Sequence, residues 1–273
     1  MIVRVALVYR GRALPLDWIV LEHGSATVGF ESYKTILEEA AKQLPKPARV
    51  ILLADRGFVD THLFRLARDL GWGFRIRLKR SIYVGHAVHQ GATVGQMMPP
   101  KDHALFLHNI WITEKWFGPI HLALGHVQIR NGYEEWAILS DEPTSLKTFD
   151  EFGLRFDIEE NFLDDKSAGF QLESSEIRHT DALSQPALIL ATTTLYLTST
   201  GSIVAQLDQR RCVDTHWHRG LSYLQIGWRW IFYALAHGKR LLSFLFLDPL
   251  PDPLPSFCLQ CPSRTSHCRF SYP

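Results

Sequence analysis

A short, unbroken apolar run in "RVILLADRGF", residues 49–58, restricts the fold of this chain more than any other segment. The run ends at Asp55 and Gly57, a pattern typical of a parallel strand that is buried on both faces. In open α/β sheets, ligands bind beyond the carboxyl ends of the strands. The sequence therefore predicts an α/β fold with Asp55 at a position where a site can form.

The segments on either side of this strand predict the rest of the core. Residues 2–9 and 17–22 are β-rich and flank the turn segment "RGRALP", so we expect a hairpin. Residues 31–45 have helical periodicity and end at prolines. Residues 60–72 also indicate a helix, for which Asp60 is a suitable N-cap. Helical patterns return after residue 144.

Residues 73–81, "GFRIRLKRS", predict a strand with one basic face, because apolar side chains alternate with Arg75, Arg77 and Lys79. From residue 82 to about 140 the helical signal disappears, and strand-like segments are separated by Gly, Pro and Asn. We therefore expect a two-part core with an insertion and a poorly ordered Pro-rich tail. The expected boundaries are 1–81 and 144–247 for the core, 82–143 for the β-rich insertion and 248–273 for the tail.

The composition narrows the class of protein. The chain has 273 residues, of which 46% are hydrophobic, enough for one large domain or one domain with an insertion. Lys plus Arg number 29 against 28 Asp plus Glu, so any basic surface must be local. The first apolar run carries charges, which a signal peptide would not have there. Four cysteines in a chain of this length are too few for a fold held together by disulfides. The uncharged run at 182–207 is rich in Ser and Thr, which favours a buried element over a membrane span. We expect a cytoplasmic protein.

The segment from Phe152 to Lys166 indicates an amphipathic helix with charges on its apolar side. On a wheel of ~100° per residue, Arg155, Glu159 and Lys166 fall within the apolar arc. One interpretation is an internal Arg155–Glu159 ion pair, with Lys166 extending to the helix end. The other is a cleft in which the carboxylate meets a cation and the basic groups meet an anion.

Asp55 and Glu159 are carboxylates from distant parts of the chain that we expect to converge, with ~5–8 Å between them, the reach of a shared two-ion site. Mg²⁺ prefers carboxylate oxygens, and two such ions can hold the attacking and leaving oxygens of a phosphoryl transfer. Arg155, Lys166 and the basic face of residues 75–79 would then hold phosphates.

The segment "ADRGF" at 54–58 and the spacing Phe152-x₂-Arg155-x₃-Glu159-x₆-Lys166 resemble the DDE transposases of the insertion-sequence-four family. The signature of that family is Tyr-x₂-Arg-x₃-Glu-x₆-Lys. Phe152 stands in place of the tyrosine and lacks its hydroxyl. The resemblance extends over roughly residues 2–250. It implies an RNase H-like mixed sheet flanked by helices and interrupted by a β-rich insertion.

The resemblance also implies roles for single residues. Asp55 and Glu159 resemble metal-binding catalytic residues, and Arg155 and Lys166 resemble residues that contact DNA phosphates. In related transposases a tryptophan of the insertion stacks on a flipped base. Trp136 is the candidate here, and the alternative for it is an ordinary core tryptophan.

The implied activity is Mg²⁺- or Mn²⁺-dependent cleavage and strand transfer of DNA. The implied partners are transposon ends and target DNA, bound by a homodimer at the nucleoid, with no membrane. The first catalytic Asp of the family belongs on a strand before the hairpin, and this chain begins at Met1. Asp17 is a poor substitute because we expect it at the hairpin turn. We therefore expect a truncated, catalytically incomplete chain whose two-ion site forms only when the missing Asp is supplied.

Two other functions remain open: an inactive DNA-binding transposase remnant and an RNase H-like nuclease. Three further segments carry weaker signals. Cys258, Cys261, His267 and Cys268 could bind zinc by ligand count. The helix with Trp228, Arg229 and Trp230 is either core or a DNA contact, the former being favoured. The motif "HWH" with His216 and His218 is expected at the surface.

Overall fold

The computed structural model describes residues 2–21, 28–85, 91–113, 116–129, 132–163, 180–250, 252 and 254. The chain is a mixed α/β protein that divides into two compact units. We call Met1–His23 with Phe156–Leu259 the hairpin unit, and Gly24–Arg155 with Gln260–Pro273 the sheet unit. Lys166 and the tail residues Cys258, Cys261, His267 and Cys268 lie outside the described residues.

The strands and helices of the described residues are numbered along the chain. The strands are β1 (Ile2–Tyr9), β2 (Arg12–Val20), β3 (Ile51–Ala54), β4 (Gly73–Arg77), β5 (Tyr83–Gly85), β6 (Ala92–Thr93), β7 (Ala104–Ile112), β8 (Phe117–Ile129) and β9 (Gly132–Ser140). The helices are α1 (Phe30–Gln43), α2 (Thr61–Asp69), α3 (Val94–Met97), α4 (Leu146–Gly153), α5 (Phe156–Leu163), α6 (Thr180–Gln206) and α7 (Tyr223–Ala236).

The predicted hairpin is confirmed, with a tighter turn than the sequence indicated. β1 pairs with β2 in antiparallel register, from Ile2 opposite Val20 to Tyr9 opposite Arg12. Arg10 and Gly11 form the turn, and both have positive φ values, 48° and 82°. Turns of this kind match the twist of the flanking strands. Asp17 therefore lies within β2 rather than at the turn, which corrects its expected place.

Helices α6 and α7 form the main packing of the hairpin unit. Their main chains approach closely at Gly201 and Gly227, since a side chain at Gly201 would overlap the carbonyl oxygen of Tyr223. The Thr and Ser residues around Gly201 are buried, as are Ile226 and Trp230 of α7. The stretch Ser184–Gln206 is long and apolar enough to cross a membrane, yet two thirds of its most apolar window is buried. The predicted buried element is confirmed.

The sheet unit contains one seven-stranded sheet in the order β3-β4-β9-β8-β7-β5-β6. Among the described strands, β3 and β4 alone pair in parallel, which confirms the predicted parallel strand. The expectation that it is buried on both faces is wrong, because β3 lies at the sheet edge and three of its four residues are only half-buried. The strand-rich character of residues 82–140 is also confirmed. These strands do not form a separate sheet, however, because β9 pairs with β4 from Arg75 to Arg77. The boundary expected at 81/82 thus falls inside one continuous sheet.

Helices flank this sheet and confirm two local predictions. α1 occupies nearly the predicted range, and Asp60 caps α2 by accepting a hydrogen bond of 2.8 Å from the main-chain N–H of His62. α2 packs on β4 through Phe64, whose ring stacks on Phe74. α4 packs against β4, β8 and β9. The result is a mostly antiparallel mixed sheet with helices packed on it.

The single helix predicted from Phe152 to Lys166 is wrong. α4 ends at Gly153 and α5 begins at Phe156, and the main-chain N–H of Arg155 closes a turn on the carbonyl of Phe152 at 2.9 Å. Glycine is a poor helix former, which gives a local reason for the break. Phe152 and Glu159 therefore lie on different helices, and a single helical wheel does not describe the segment.

Replacing Gly201 by Ala is expected to destabilise the protein by about 1–3 kcal/mol, because the added methyl group must push two helices apart. Urea denaturation followed by circular dichroism measures the change. Gly57→Ala is the matched control, since a side chain there meets nothing within 4 Å and φ is not positive. Equal stability of Gly201→Ala and wild type would contradict the close helix contact.

Candidate functional site

Asp55 follows β3 at the carboxyl end of the parallel β3–β4 pair, where the sequence predicted it. It precedes a short 3₁₀ turn, Arg56–Phe58, and its main-chain carbonyl accepts a hydrogen bond of 2.9 Å from Phe58. Its side chain makes no capping bond. The Oδ1 atom is buried and has no hydrogen-bond partner among the described residues.

A buried carboxylate oxygen in this state is costly, typically about 1–3 kcal/mol, and such atoms often indicate an ion or a reacting group. The chemistry of Asp55 fits a hard cation, because carboxylate oxygens are the ligands that Mg²⁺ prefers. Within the described ranges no group of three His, Cys, Asp or Glu side chains is arranged to hold a metal. Asp55 is thus one suitable ligand rather than a complete cage.

Glu159 lies on α5 and is exposed, as is its neighbour Glu160. The expectation that Glu159 points into the protein body is therefore wrong. Asp55 belongs to the sheet unit and Glu159 to the hairpin unit. Their convergence on one ion stays a prediction.

Phe152 and Trp136 belong to an aromatic cluster in the core of the sheet unit. Phe152 is fully buried, and its ring lies edge-on to Trp136 with 5.1 Å between centroids. Trp136 is 2% exposed, and its Nε1 donates to Glu134 at 3.0 Å. This placement matches the core alternative for Trp136 and leaves no open face for a base. Arg155 lies beside the cluster, with its guanidinium carbon 5.6 Å from the centre of the Phe152 ring.

Arg75 is a buried cation at the centre of a charge cluster rather than part of an open basic face. Its side chain is 4% exposed and contacts Glu142 at 2.7 Å and Glu151 at 2.8 Å. It also donates to the Ser140 hydroxyl at 3.0 Å. Hydrogen bonds from Arg49 and Arg75 lower the pKa of Glu142. The ionised Glu142 carboxylate therefore stabilises the fold fully above the usual glutamate pKa, and this stabilisation is lost as the pH falls through the lowered pKa.

Arg77 is also neutralised. Its guanidinium contacts the Glu134 carboxylate at 2.6 Å and donates to the carbonyl of Glu135 at 3.0 Å. Lys79, beyond the end of β4, is exposed. The prediction of a basic face at residues 75–79 is therefore wrong for Arg75 and Arg77, because carboxylates from β9 and α4 cover them. Lys79 remains available for an anion.

The sequence did not reveal the order in the loop after α6. Arg210 and Asp214 form a buried ion pair of 2.9 Å, and the Asp214 carboxylate also contacts Nδ1 of His216 at 2.6 Å. Burial raises the pKa of Asp214, but hydrogen bonds from His216 and Arg210 outweigh it, so the net pKa is lowered. The spacing Arg-x₃-Asp-x-His was the available signal, and it is too short to be specific.

Arg75→Met is expected to lower the free energy of unfolding by about 1.5–3 kcal/mol, because it removes the buried guanidinium whose hydrogen bonds join Glu142 and Glu151. Lys79→Met, a change of similar size at an exposed position near the same strand, should stay within about 0.5 kcal/mol of wild type. Chemical denaturation of the two variants provides the comparison. Similar stability of both variants would show that Arg75 does not organise the sheet unit.

Comparison with known proteins gives no independent family assignment. No protein-family model and no curated protein sequence matches the chain. Its function therefore has to be inferred from its own residues and from the resemblance they carry.

Proposed function

We propose that this chain is a DDE transposase-type protein that acts on DNA phosphodiesters with Mg²⁺ or Mn²⁺. The observation that supports this most directly is the Oδ1 atom of Asp55, which is buried at the carboxyl end of a parallel strand and has no hydrogen-bond partner in the part of the chain that the structure describes. A structural aspartate at this turn would be expected to cap it or to form an ion pair. A carboxylate that binds a cation uses its oxygens for the ion, so a buried oxygen without a protein donor is expected at such a site.

The order of elements supports an RNase H-like core as the finer description of the fold. A hairpin is followed by α1, the Asp55 strand, α2 and a parallel neighbour. An antiparallel series then precedes the helix that carries Glu159. This is the order that the resemblance implies. The joining of β4 and β9 in one sheet means that the β-rich insertion would extend the core sheet.

Each proposed role belongs to a residue of this chain. Asp55 and Glu159 would be metal ligands, and the bound ions would stabilise the charge that develops on the phosphate. Arg155, Lys166 and Lys79 would contact DNA phosphates. Arg75, Arg77 and Phe152 would act indirectly, by holding the sheet and α4 in place. The proposed partners are transposon ends and target DNA, bound by a homodimer. The proposed location is the cytoplasm, in association with the nucleoid.

Asp55→Ala should not destabilise the metal-free protein, because the carboxylate caps nothing and one of its oxygens is buried without a partner. In the chain extended by an N-terminal segment that carries a first-strand Asp, Mg²⁺ should raise the Tm, and Asp55→Ala in that extended chain should abolish the rise, since a ligand at about 100 times its Kd stabilises by about 2.7 kcal/mol. Thermal denaturation in EDTA and in Mg²⁺ measures both effects.

Asp60→Ala is the matched control in the same unit, because Asp60 does cap its helix. It should lose about 1 kcal/mol in EDTA and, in the extended chain, keep the response to Mg²⁺. If Asp55→Ala is destabilised as strongly as Asp60→Ala and both respond equally to Mg²⁺, Asp55 is a structural residue.

Strand-transfer assays on DNA with and without the terminal sequences that flank this gene test the activity itself. The 273-residue chain is expected to show no Mg²⁺-dependent reaction above background, because two carboxylates do not supply a bridging ligand and separate ligands for two ions. An added N-terminal segment that carries a first-strand Asp should restore end-dependent strand transfer, and Glu159→Gln should abolish it again. Cleavage independent of the ends would favour a nuclease. Binding to the ends without any reaction in the extended protein would favour a DNA-binding remnant.

A further inference from the structure

The loop of residues 213–220, between α6 and α7, is held in one conformation by buried polar contacts. The Arg210 guanidinium donates to the Asp214 carboxylate at 2.9 Å and to the carbonyls of His216 at 3.1 Å and Trp217 at 3.3 Å. The Asp214 side chain is 0% exposed and accepts a hydrogen bond of 3.0 Å from the main-chain N–H of Gly220. A single buried ion pair thus fixes both ends and the tip of the loop.

Trp217 lies at the tip of this fixed loop and is 79% exposed, more than any other large hydrophobic side chain in the described ranges. The guanidinium carbon of Arg211 lies 5.4 Å from the centre of its ring. A loop whose only role is to connect two helices does not require a solvent-exposed tryptophan side chain. The fold instead presents a flat aromatic surface next to a cation.

The charge around this loop is positive, although the whole chain is nearly neutral. Residues 206–240 contain six Lys and Arg and two acidic residues, Asp208 and Asp214, a difference of +4 with His neutral, and Asp252 neutralises Arg219 at 3.0 Å, which leaves +3. Asp214 is already neutralised by Arg210. Arg211 and Arg229 are exposed, and Arg229 lies alongside the loop, with its guanidinium 3.5 Å from the carbonyl of Val213.

We propose that Trp217 and Arg211 form a stacking platform for an unpaired base of single-stranded nucleic acid, with Arg229 contacting the phosphate backbone. Every base has a π-face, so a fixed indole beside cations suits nucleic acid of any sequence. An apolar peptide or a second copy of the chain would cover the indole equally well. Neither gains from the excess of positive charge, which favours the polyanion.

This site uses neither Asp55 nor Glu159 and needs no metal ion. Binding to it can therefore be measured in EDTA, where the metal-dependent chemistry proposed for Asp55 and Glu159 cannot take place. Failure of the cleavage assays would leave this proposal untouched, and failure of the binding assay would leave the carboxylate chemistry untouched.

Fluorescence anisotropy of a labelled oligothymidylate provides the test. Trp217→Ala should weaken the Kd by about fivefold to 150-fold, the range expected for loss of one stacked base. Trp217→Phe, which keeps an aromatic face, should lose less. Trp116→Ala is the matched control, because Trp116 is 61% exposed but belongs to the sheet unit. Arg229→Gln should reduce the magnitude of the slope of log Kobs against log salt by about 0.7, the value of one single-strand phosphate contact.

Circular dichroism of each variant verifies that the fold is intact. If Trp217→Ala binds the oligothymidylate as tightly as the wild type, or if Trp116→Ala weakens binding to the same extent, the proposal is overturned. It is also overturned if Trp217→Ala changes the oligomeric state and leaves nucleic-acid binding unchanged, because the indole would then serve contacts between copies of the chain.

Discussion

The sheet unit depends on one buried guanidinium, that of Arg75. Its contacts join β4 to the end of β9 through Ser140, to the following segment through Glu142, and to α4 through Glu151. The same strand holds β3, and therefore Asp55, by parallel pairing. Arg75, which the sequence pattern predicted to bind DNA, thus holds in place the strands that position Asp55, the candidate metal ligand.

Local signals in the sequence were sufficient for much of this fold. The hairpin, α1, α2 and the parallel strand each have a turn, a cap or a short apolar run that acts over a few residues. The ion pairs of Arg75 and Arg77 could not be predicted from such local signals. Their partners Glu151 and Glu134 lie 76 and 57 positions away in the chain. Alternation of apolar and basic residues shows that a strand has two faces, but not which tertiary partner covers the polar one.

The candidate site was predictable to a similar degree. The position of Asp55 followed from the end of a strand, whereas its unpartnered oxygen depends on packing that no pattern records. For Glu159 the error came from assuming one continuous helix. The break at Gly153–Arg155 changes the face of every residue after it, since each added residue turns a helix by about 100°. The sequence placed the "HWH" motif at the surface, but it did not show that a buried ion pair orders the loop around Trp217.

The close approach of α6 and α7 limits how the sequence of this fold can change. A side chain at Gly201 would meet the main chain of Tyr223, and one at Gly227 would meet the main chain of Leu197. A substitution at the facing residue changes its side chain but not its main-chain atoms. A larger residue at either glycine therefore cannot be accommodated by a second substitution in the opposite helix. The two positions should therefore remain glycine independently of each other rather than covary. In chains that have diverged elsewhere, two glycines at this fixed separation would still identify the helix pair.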